Sequence, residues 1–511
     1  MSTPKTEPLT IVQVASLGTI GDNIYRVHQP CAALAQLPGV EVFEVHAQSR
    51  HRDAAALAAD VLVLTMTLDV EVHRLIHQRR QLGKLTLCEV NDYLPDVQAS
   101  NPAHRTWADP RGLHLFEQLI ARCDAVQVSS TALGQRIAHL AQHIAVFDNQ
   151  LAREPAPFAK PARAGRAAPV VVGWGGSLGH LLDLQHIAPA LTAWLRHQPN
   201  VRLEIMADAS LAALFAAVPQ QQFRAHPAGS LAHYLAWLAT VDIGIAPLLP
   251  TPYNRCRSDV KFLEFAAQGA VPVVQRLEPY YSTVREGVTG FLFDTPDHLL
   301  SLLDTLVASP ALRQQVSTAA SQYVVAERRL AQHAPKRLAF YQQQRARVQA
   351  RHQQHPPHAI AKALASAASV PLLSLPGWQS HSLGLAANHH RLDLHTPAEQ
   401  HSAAGVQAMQ RGDWASACQA FTEAVRLDAS DAHALSFLGD CLLRQGRLPL
   451  ARAALERAIA LDPLLSRPVR ALARLHRTLA QHYSDQAAQL NPLPALARSE
   501  AALCAWKTLQ K

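Results

Sequence analysis

Short apolar runs alternate with helix-length amphipathic stretches through the first two thirds of the chain. The runs TIVQVAS (10–16), VEVFEV (40–45), DVLVLTM (60–66), KLTLCEV (84–90) and DAVQVSS (124–130) are rich in β-branched residues. This rhythm predicts a parallel sheet with helices on both faces. After an Ala-, Pro- and Arg-rich stretch at 152–169 it restarts with VVVGWGG (170–176), VRLEIMA (201–207), QQFRAHP (221–227), DIGIAPL (242–248) and VPVVQ (271–275). The expected fold class is therefore α/β, with two Rossmann-like, doubly wound domains at 1–152 and 169–345 joined by a Pro-rich hinge. A long polar helix is expected over 330–350.

The pattern then changes twice. Residues 346–400 are dominated by His, Gln, Ser and Pro, with SVPLLSLPGW as the one apolar island. This composition predicts a flexible linker acting as a tether. Its eight His between 352 and 401 lack regular ligand spacing, so no metal is expected there. Over 401–511 a shift of 34 residues aligns Gly412 with Gly446, Ala417 with Ala451, Phe421 with Leu455, Ala424 with Ala458 and Asp428 with Asp462. Small residues let two helices of a unit approach, and large ones fill the groove between units. The spacing resembles tetratricopeptide repeats, an all-α module, with a degenerate third unit as its cap.

Composition narrows the class. Apolar residues make up 49% and charged residues 17%, the balance of a folded protein. The net charge of +8 comes from scattered Arg and Lys, which points to anionic substrates or a membrane surface. No ribonucleoprotein signature or zinc-finger spacing supports nucleic acid. Seven dispersed Cys without a C-x-x-C pair suit reduced thiols in the cytoplasm. Neither a signal peptide nor a membrane span is legible, so the expected placement is cytoplasmic, free or peripheral to the inner membrane face.

Two stretches carry candidate chemistry in the second domain. In VVVGWGGSLGHLLDL (170–184) a strand runs through Gly173, Gly175, Gly176 and Ser177 into a helix. Glycines admit a ligand close to backbone N–H groups, and a helix N-terminus favours a phosphate or diphosphate. The same pattern also serves as an ordinary tight turn. His180, at the helix start, reads as a donor contact or as a surface histidine, the latter being the simpler role. In NRCRSDVKFLEFAAQGAVPVVQ (254–275), Arg257 and Ser258 should open a helix spanning 258–268, with Lys261 and Glu264 on one face at i and i+3. Basic groups there can hold a diphosphate, and Glu264 can accept hydrogen bonds from sugar hydroxyls; the alternative is a surface Lys–Glu pair.

In the first domain, LGTIGDNIYR (17–26) places Gly18 and Gly21 at the crevice edge. EVNDYLPD (89–96) puts Glu89 and Asp92 at a strand's carboxyl end, where they face the crevice or, for Asp92, cap a helix.

The runs KFLEFAAQGAVPVV, YYSTVREGVTGFLF and LDTLVASPALRQQVSTAA resemble the donor domain of glycosyltransferase family 4, a retaining family of GT-B fold. YRVHQPCAAL, CEVNDYL and CDAVQVSSTAL resemble its acceptor domain more loosely. The resemblance implies that Glu264 is the second Glu of an E-x(7)-E motif and contacts the nucleotide ribose. Cys256 stands where the first Glu is expected, and Asp259 is near enough to substitute for it. The basic pair that often follows the strand through Gly173 is replaced by Trp174 and Gly175, leaving diphosphate charge to Arg257 and Lys261.

The expected function is transfer of a sugar, with retention, from a nucleotide sugar to a glycan, lipid-linked or protein acceptor. Catalysis would rest on Glu264, Lys261, Arg257 and Asp92, and donor binding on Gly173, Gly175, Gly176, Ser177, Ser258, Asp259, Gly18 and Gly21. No metal or other cofactor is expected, since D-x-D is absent. The repeats would bind a protein partner or a second copy of the chain. Cys256 suggests one rival, a sugar-nucleotide-binding scaffold or sensor without turnover, and a GT-B epimerase is a second from another enzyme class.

Overall fold

The computed structural model describes residues 7–15, 23–101, 103–107, 109–154, 168–357, 362–380, 385–394 and 396–490. Strands β1 (Leu9–Ala15), β2 (Val40–His46), β3 (Val61–Thr65), β4 (Leu85–Val90), β5 (Ala125–Val128) and β6 (Ile144–Val146) form a parallel sheet ordered β2-β1-β3-β4-β5-β6. A second parallel sheet holds β7 (Val170–Gly175), β8 (Val201–Ala207), β9 (Phe223–Pro227), β10 (Ile243–Ala246), β11 (Val271–Gln275) and β12 (Phe291–Phe293). Its order is β12-β11-β10-β7-β8-β9. Strands β6 and β12 are three residues each and fall below what alternation in sequence can signal. In each sheet the order reverses beside the first strand, which opens a crevice at the strands' carboxyl ends. The turn after β7 and the loop after β10 both lie at the second sheet's switch point.

The helix Leu330–Gln354 returns from the second domain to the first. Its Tyr341 is fully buried and donates its hydroxyl to Gln127 Oε1 at 2.8 Å. Val348 packs in the same core as Ile11, Val61 and Val63. The polar helix expected at 330–350 is thus part of the first domain's covering layer, and its polar look reflects one solvated face.

The expected flexible linker is not one over its described residues. Leu364, Leu372 and Leu392 are buried in the first domain's core. A thirteenth strand, β13 (His389–Leu392), adds in parallel to the edge of β2. Glu44 on β2 is 1% exposed and accepts from His28 Nδ1 at 2.5 Å, His389 Nε2 at 2.6 Å and Arg391 Nε at 3.0 Å. Burial opposes its charge, yet these partners hold the carboxyl well below its usual range. The His390 ring stacks on Phe43 with centroids 4.8 Å apart. A polar segment folds here because the edge of β2 offers unpaired backbone groups and a buried carboxylate that takes two more partners besides His28.

Helices Pro397–Gln410, Trp414–Leu427, Ala432–Arg444, Leu448–Leu461 and Ser466–Leu490 form the helical module. A side chain at Gly405 would strike Phe421, and one at Gly439 would strike Leu455, so the paired glycines let helices close onto those rings and branches. The module does not hang free on a tether. It packs on the loops that follow β2 and β3. Arg50 pairs with Asp428, and Arg467 with Asp69 at 3.5 Å. Glu71, 1% exposed, accepts from the Ser466 hydroxyl at 3.0 Å and from Arg470 at 2.6 Å. Among the described residues no helix is long and apolar enough to cross a membrane.

Candidate functional site

The helix Val260–Ala267 begins at the crevice, with Asp259 as its N-cap. Lys261 Nζ donates to Glu264 Oε2 at 3.1 Å, as the i, i+3 spacing requires. This is no surface pair. Glu264 is 5% exposed, and its Oε1 accepts from the hydroxyl of Tyr25, in the first domain, at 3.0 Å. Lys261 also donates to the Tyr234 hydroxyl at 2.8 Å and lies 4.5 Å from that ring's centroid. Burial and the Glu264 charge push the pKa of both phenols well above the ordinary value, so Tyr25 stays a donor at any working pH. The two tyrosines complete the site, and nothing in the sequence distinguished them from core aromatics.

Arg257 stands just before that helix, half-buried, 5.3 Å from the centroid of Tyr253. No hydrogen bond engages its guanidinium among the described residues. Burial alone would lower its pKa, but Tyr253, Asp92 and Asp183 together hold it above the usual value. Asp92, in the loop after β4, is thus close enough for its charge to favour the protonated guanidinium. It is not the cap of the turn Leu94–Asp96, whose N-cap is Tyr93.

His180 is not a surface residue. It is 8% exposed, and its Nδ1 meets Asp183 Oδ2 at 2.9 Å. Asp183 is fully buried, with Oδ1 accepting from Leu249 N at 2.8 Å and Asn254 Nδ2 at 2.9 Å. Burial, with the nearby Arg257 charge, lowers the His180 pKa to about 4, leaving a neutral imidazole.

Other sequence candidates have structural employment. Asp259 binds Arg328 through both oxygens, at 2.7 and 3.0 Å, and accepts from Thr283 Oγ1 at 2.9 Å. Arg328 in turn donates to Asn149 O at 2.7 Å, so Asp259 is committed to an Arg328 that ties the second domain to the first. Ser258 Oγ accepts from Asn149 Nδ2 at 2.9 Å across the same hinge. Glu89 is buried beneath Arg26, whose Nε donates at 2.9 Å, and is not presented to an acceptor. Gly173 and Gly175 lie inside β7, where a Cβ would strike Val241 and Tyr234 respectively. Gly176 keeps Trp174 and His180 in contact, and its N–H is bonded to Met206 O at 3.2 Å. Of the proposed cradle, Ser177 is left at the start of the turn Leu178–His180. Gly18 and Gly21 lie outside the described residues.

Cys256 is 4% exposed and packs in the first domain's core cluster; its carbonyl accepts from Ser130 Oγ at 2.9 Å. Burial pushes its thiol up to about 11. At pH 8 only about one molecule in a thousand then carries the reactive thiolate. Alkylation of the native protein followed by mass-spectrometric mapping should leave Cys256 unlabelled, and unfolding should expose it. Rapid native labelling would show a thiol open to the crevice.

The family model described as "Tetratricopeptide repeat" matches residues 403–466. No curated protein sequence matches the chain. Solved structures do match its fold. A glycosyltransferase from Rickettsia africae shares 13% identity, with 66% of this chain and 99% of that one covered and a TM-score of 0.50. Sucrose-phosphate synthase from Thermosynechococcus elongatus shares 14%, over 66% and 99%, at 0.51. Anabaena HepE, solved with UDP and glucose, shares 13%, over 66% and 100%, at 0.51. Two parallel-sheet α/β domains facing across a crevice, matched in these structures, give the chain a GT-B fold. It carries a tetratricopeptide module at its C-terminal side.

Proposed function

We propose that this chain is a glycosyltransferase of the family 4 type, which moves a sugar with retention from a nucleotide sugar. The observation that carries the reading is the pairing at the crevice of a carboxylate with two cations. Glu264 is held by groups from both domains and keeps lone pairs for a ribose diol. Lys261 and the uncommitted Arg257 stand at the start of the same helix, where a departing nucleoside diphosphate would collect charge. Ser177, before the turn into the helix Leu181–Leu195, adds backbone dipole to the same end. Asp92 faces this group from the acceptor side. The likeness to HepE holding UDP and glucose supports a uridine nucleotide. The acceptor is a glycan, a lipid-linked saccharide or a protein, and the repeats beside the acceptor domain offer a partner surface.

Calorimetric titration with nucleoside diphosphates tests this directly. Arg257→Ala should weaken binding by tenfold or more, since a charge-assisted contact contributes roughly 1.5–3 kcal/mol. Among the described residues Arg257 makes no hydrogen bond, and its contact with the Tyr253 ring is modest, so the melting temperature should move little. Equal affinity in the variant and the parent would remove the site from this crevice.

A second reading, binding without turnover, is favoured by one observation: Cys256 offers no carboxylate, and Asp259 is engaged with Arg328. Release of nucleoside diphosphate from a bound nucleotide sugar, measured with and without candidate acceptors, separates the two.

A further inference from the structure

We infer that His180 recognises the sugar ring of the donor, its Nε2 accepting a hydrogen bond from a sugar hydroxyl. The inference rests on the nucleotide-sugar reading above and goes beyond it by assigning the group that reads the sugar.

Three observations converge. The imidazole is about nine-tenths buried and its Nδ1 is committed to Asp183, while Nε2 has no hydrogen-bond partner among the described residues. The ring is built in rather than incidental. Trp174 packs edge-on at 5.8 Å, and Asp183 is itself fixed by Leu249 and Asn254 from the loop after β10. Gly176 carries no side chain, which is what allows this packing. Finally, Arg257 and Lys261 lie close enough to act electrostatically on His180. A diphosphate held by those cations would place its attached sugar within the same corner of the crevice.

The chemistry then selects the ligand group. With Nδ1–H donating to Asp183, the neutral ring presents only a lone pair at Nε2. A lone pair suits a hydroxyl donor and repels a phosphate oxygen. The other obvious acceptors in this corner are occupied. Asp259 is bound to Arg328, Asp183 accepts three bonds, and Cys256 points its thiol into the first domain's core. A sugar hydroxyl arriving here would meet His180 Nε2 as an acceptor without a partner among the described residues.

The test uses the full chain and two variants that split the ring's functions. His180→Asn keeps a polar atom near Nδ1 for Asp183 and removes Nε2; His180→Gln does the converse. Affinities are measured for UDP, GDP and ADP alone and for their glucose, galactose and mannose conjugates. In the parent, one conjugate should bind more tightly than its bare diphosphate. His180→Asn should keep diphosphate affinity within about twofold and lower that conjugate's affinity about tenfold, the effect of one lost hydrogen bond. His180→Gln should recover part of the loss. Equal weakening of bare diphosphate and conjugate would place His180 on the phosphates and overturn the assignment. So would unchanged binding of both, or a parent protein that gains nothing from any sugar. If the parent binds no nucleotide at all, the donor-site reading itself falls.

Discussion

A chain ending after Gln354 should melt far below the full protein or fail to stay soluble. It would lose β13, which covers the edge of β2, and three side chains buried in the first domain's core, Leu364, Leu372 and Leu392. Each contributes roughly 1.5–3 kcal/mol on burial. Glu44 would lose His389 and Arg391, and Glu71 would lose Ser466 and Arg470. Stripping partners from a buried carboxylate costs about 3–5 kcal/mol where it stays buried, and less where water reaches it. Even the apolar part alone is comparable with the whole stability of a typical domain, about 5–15 kcal/mol. Thermal unfolding checks this, and a drop of well over 10 °C is expected, since about 1 kcal/mol moves the midpoint 2–4 °C at this domain size. A cut after Leu394, which keeps β13 and removes the repeats, apportions the loss. Melting unchanged in both shortened chains would mean that the C-terminal third packs without holding anything together.

Glu264→Gln should lower sugar transfer on the order of tenfold to a hundredfold, matching the roughly 1.5–3 kcal/mol of a charge-assisted bond. Gln preserves volume, so the helix Val260–Ala267 has no reason to unwind. Unlike an exposed pair, however, this one is buried beside Tyr25 and Tyr234, and the substitution leaves Lys261 without a counter-charge. A modest fall in stability should accompany the kinetic loss. Tyr25→Phe separates the two contributions, because it removes the bridge to the first domain and leaves the carboxylate charged. Steady-state kinetics within twofold of the parent for Glu264→Gln would reduce the residue to a structural ion pair.

The sheets were legible because both faces of each are covered, which forces near-continuous apolar strands. The repeats were legible because Gly412 and Gly446, Ala417 and Ala451, and Phe421 and Leu455 recur at one spacing of 34 residues. The placement of Lys261 and Glu264 on one helical face was legible for the same kind of reason. What escaped were features made by distant partners. The sequence HHRL carries no strand signal; it becomes β13 only because the β2 edge and Glu44 await it. Asp259 reads as a site acid until Arg328, far along the chain, claims both of its oxygens. Tyr25 and Tyr234 lie on elements of different domains, and their meeting at Glu264 and Lys261 depends on how the two domains meet.

The topology also governs how the protein can be made. The second domain is contiguous, running from β7 to the end of the helix Pro310–Glu327. The first is finished by Leu330–Gln354 and by β13, so residue 392 of 511 must leave the ribosome before its sheet has its last edge covered. Domains generally fold in the order of synthesis. Here the later-made domain can be complete first, while β2 waits with an open hydrogen-bonding edge. Newly made chain should therefore depend on a chaperone holding that edge until its C-terminal third emerges.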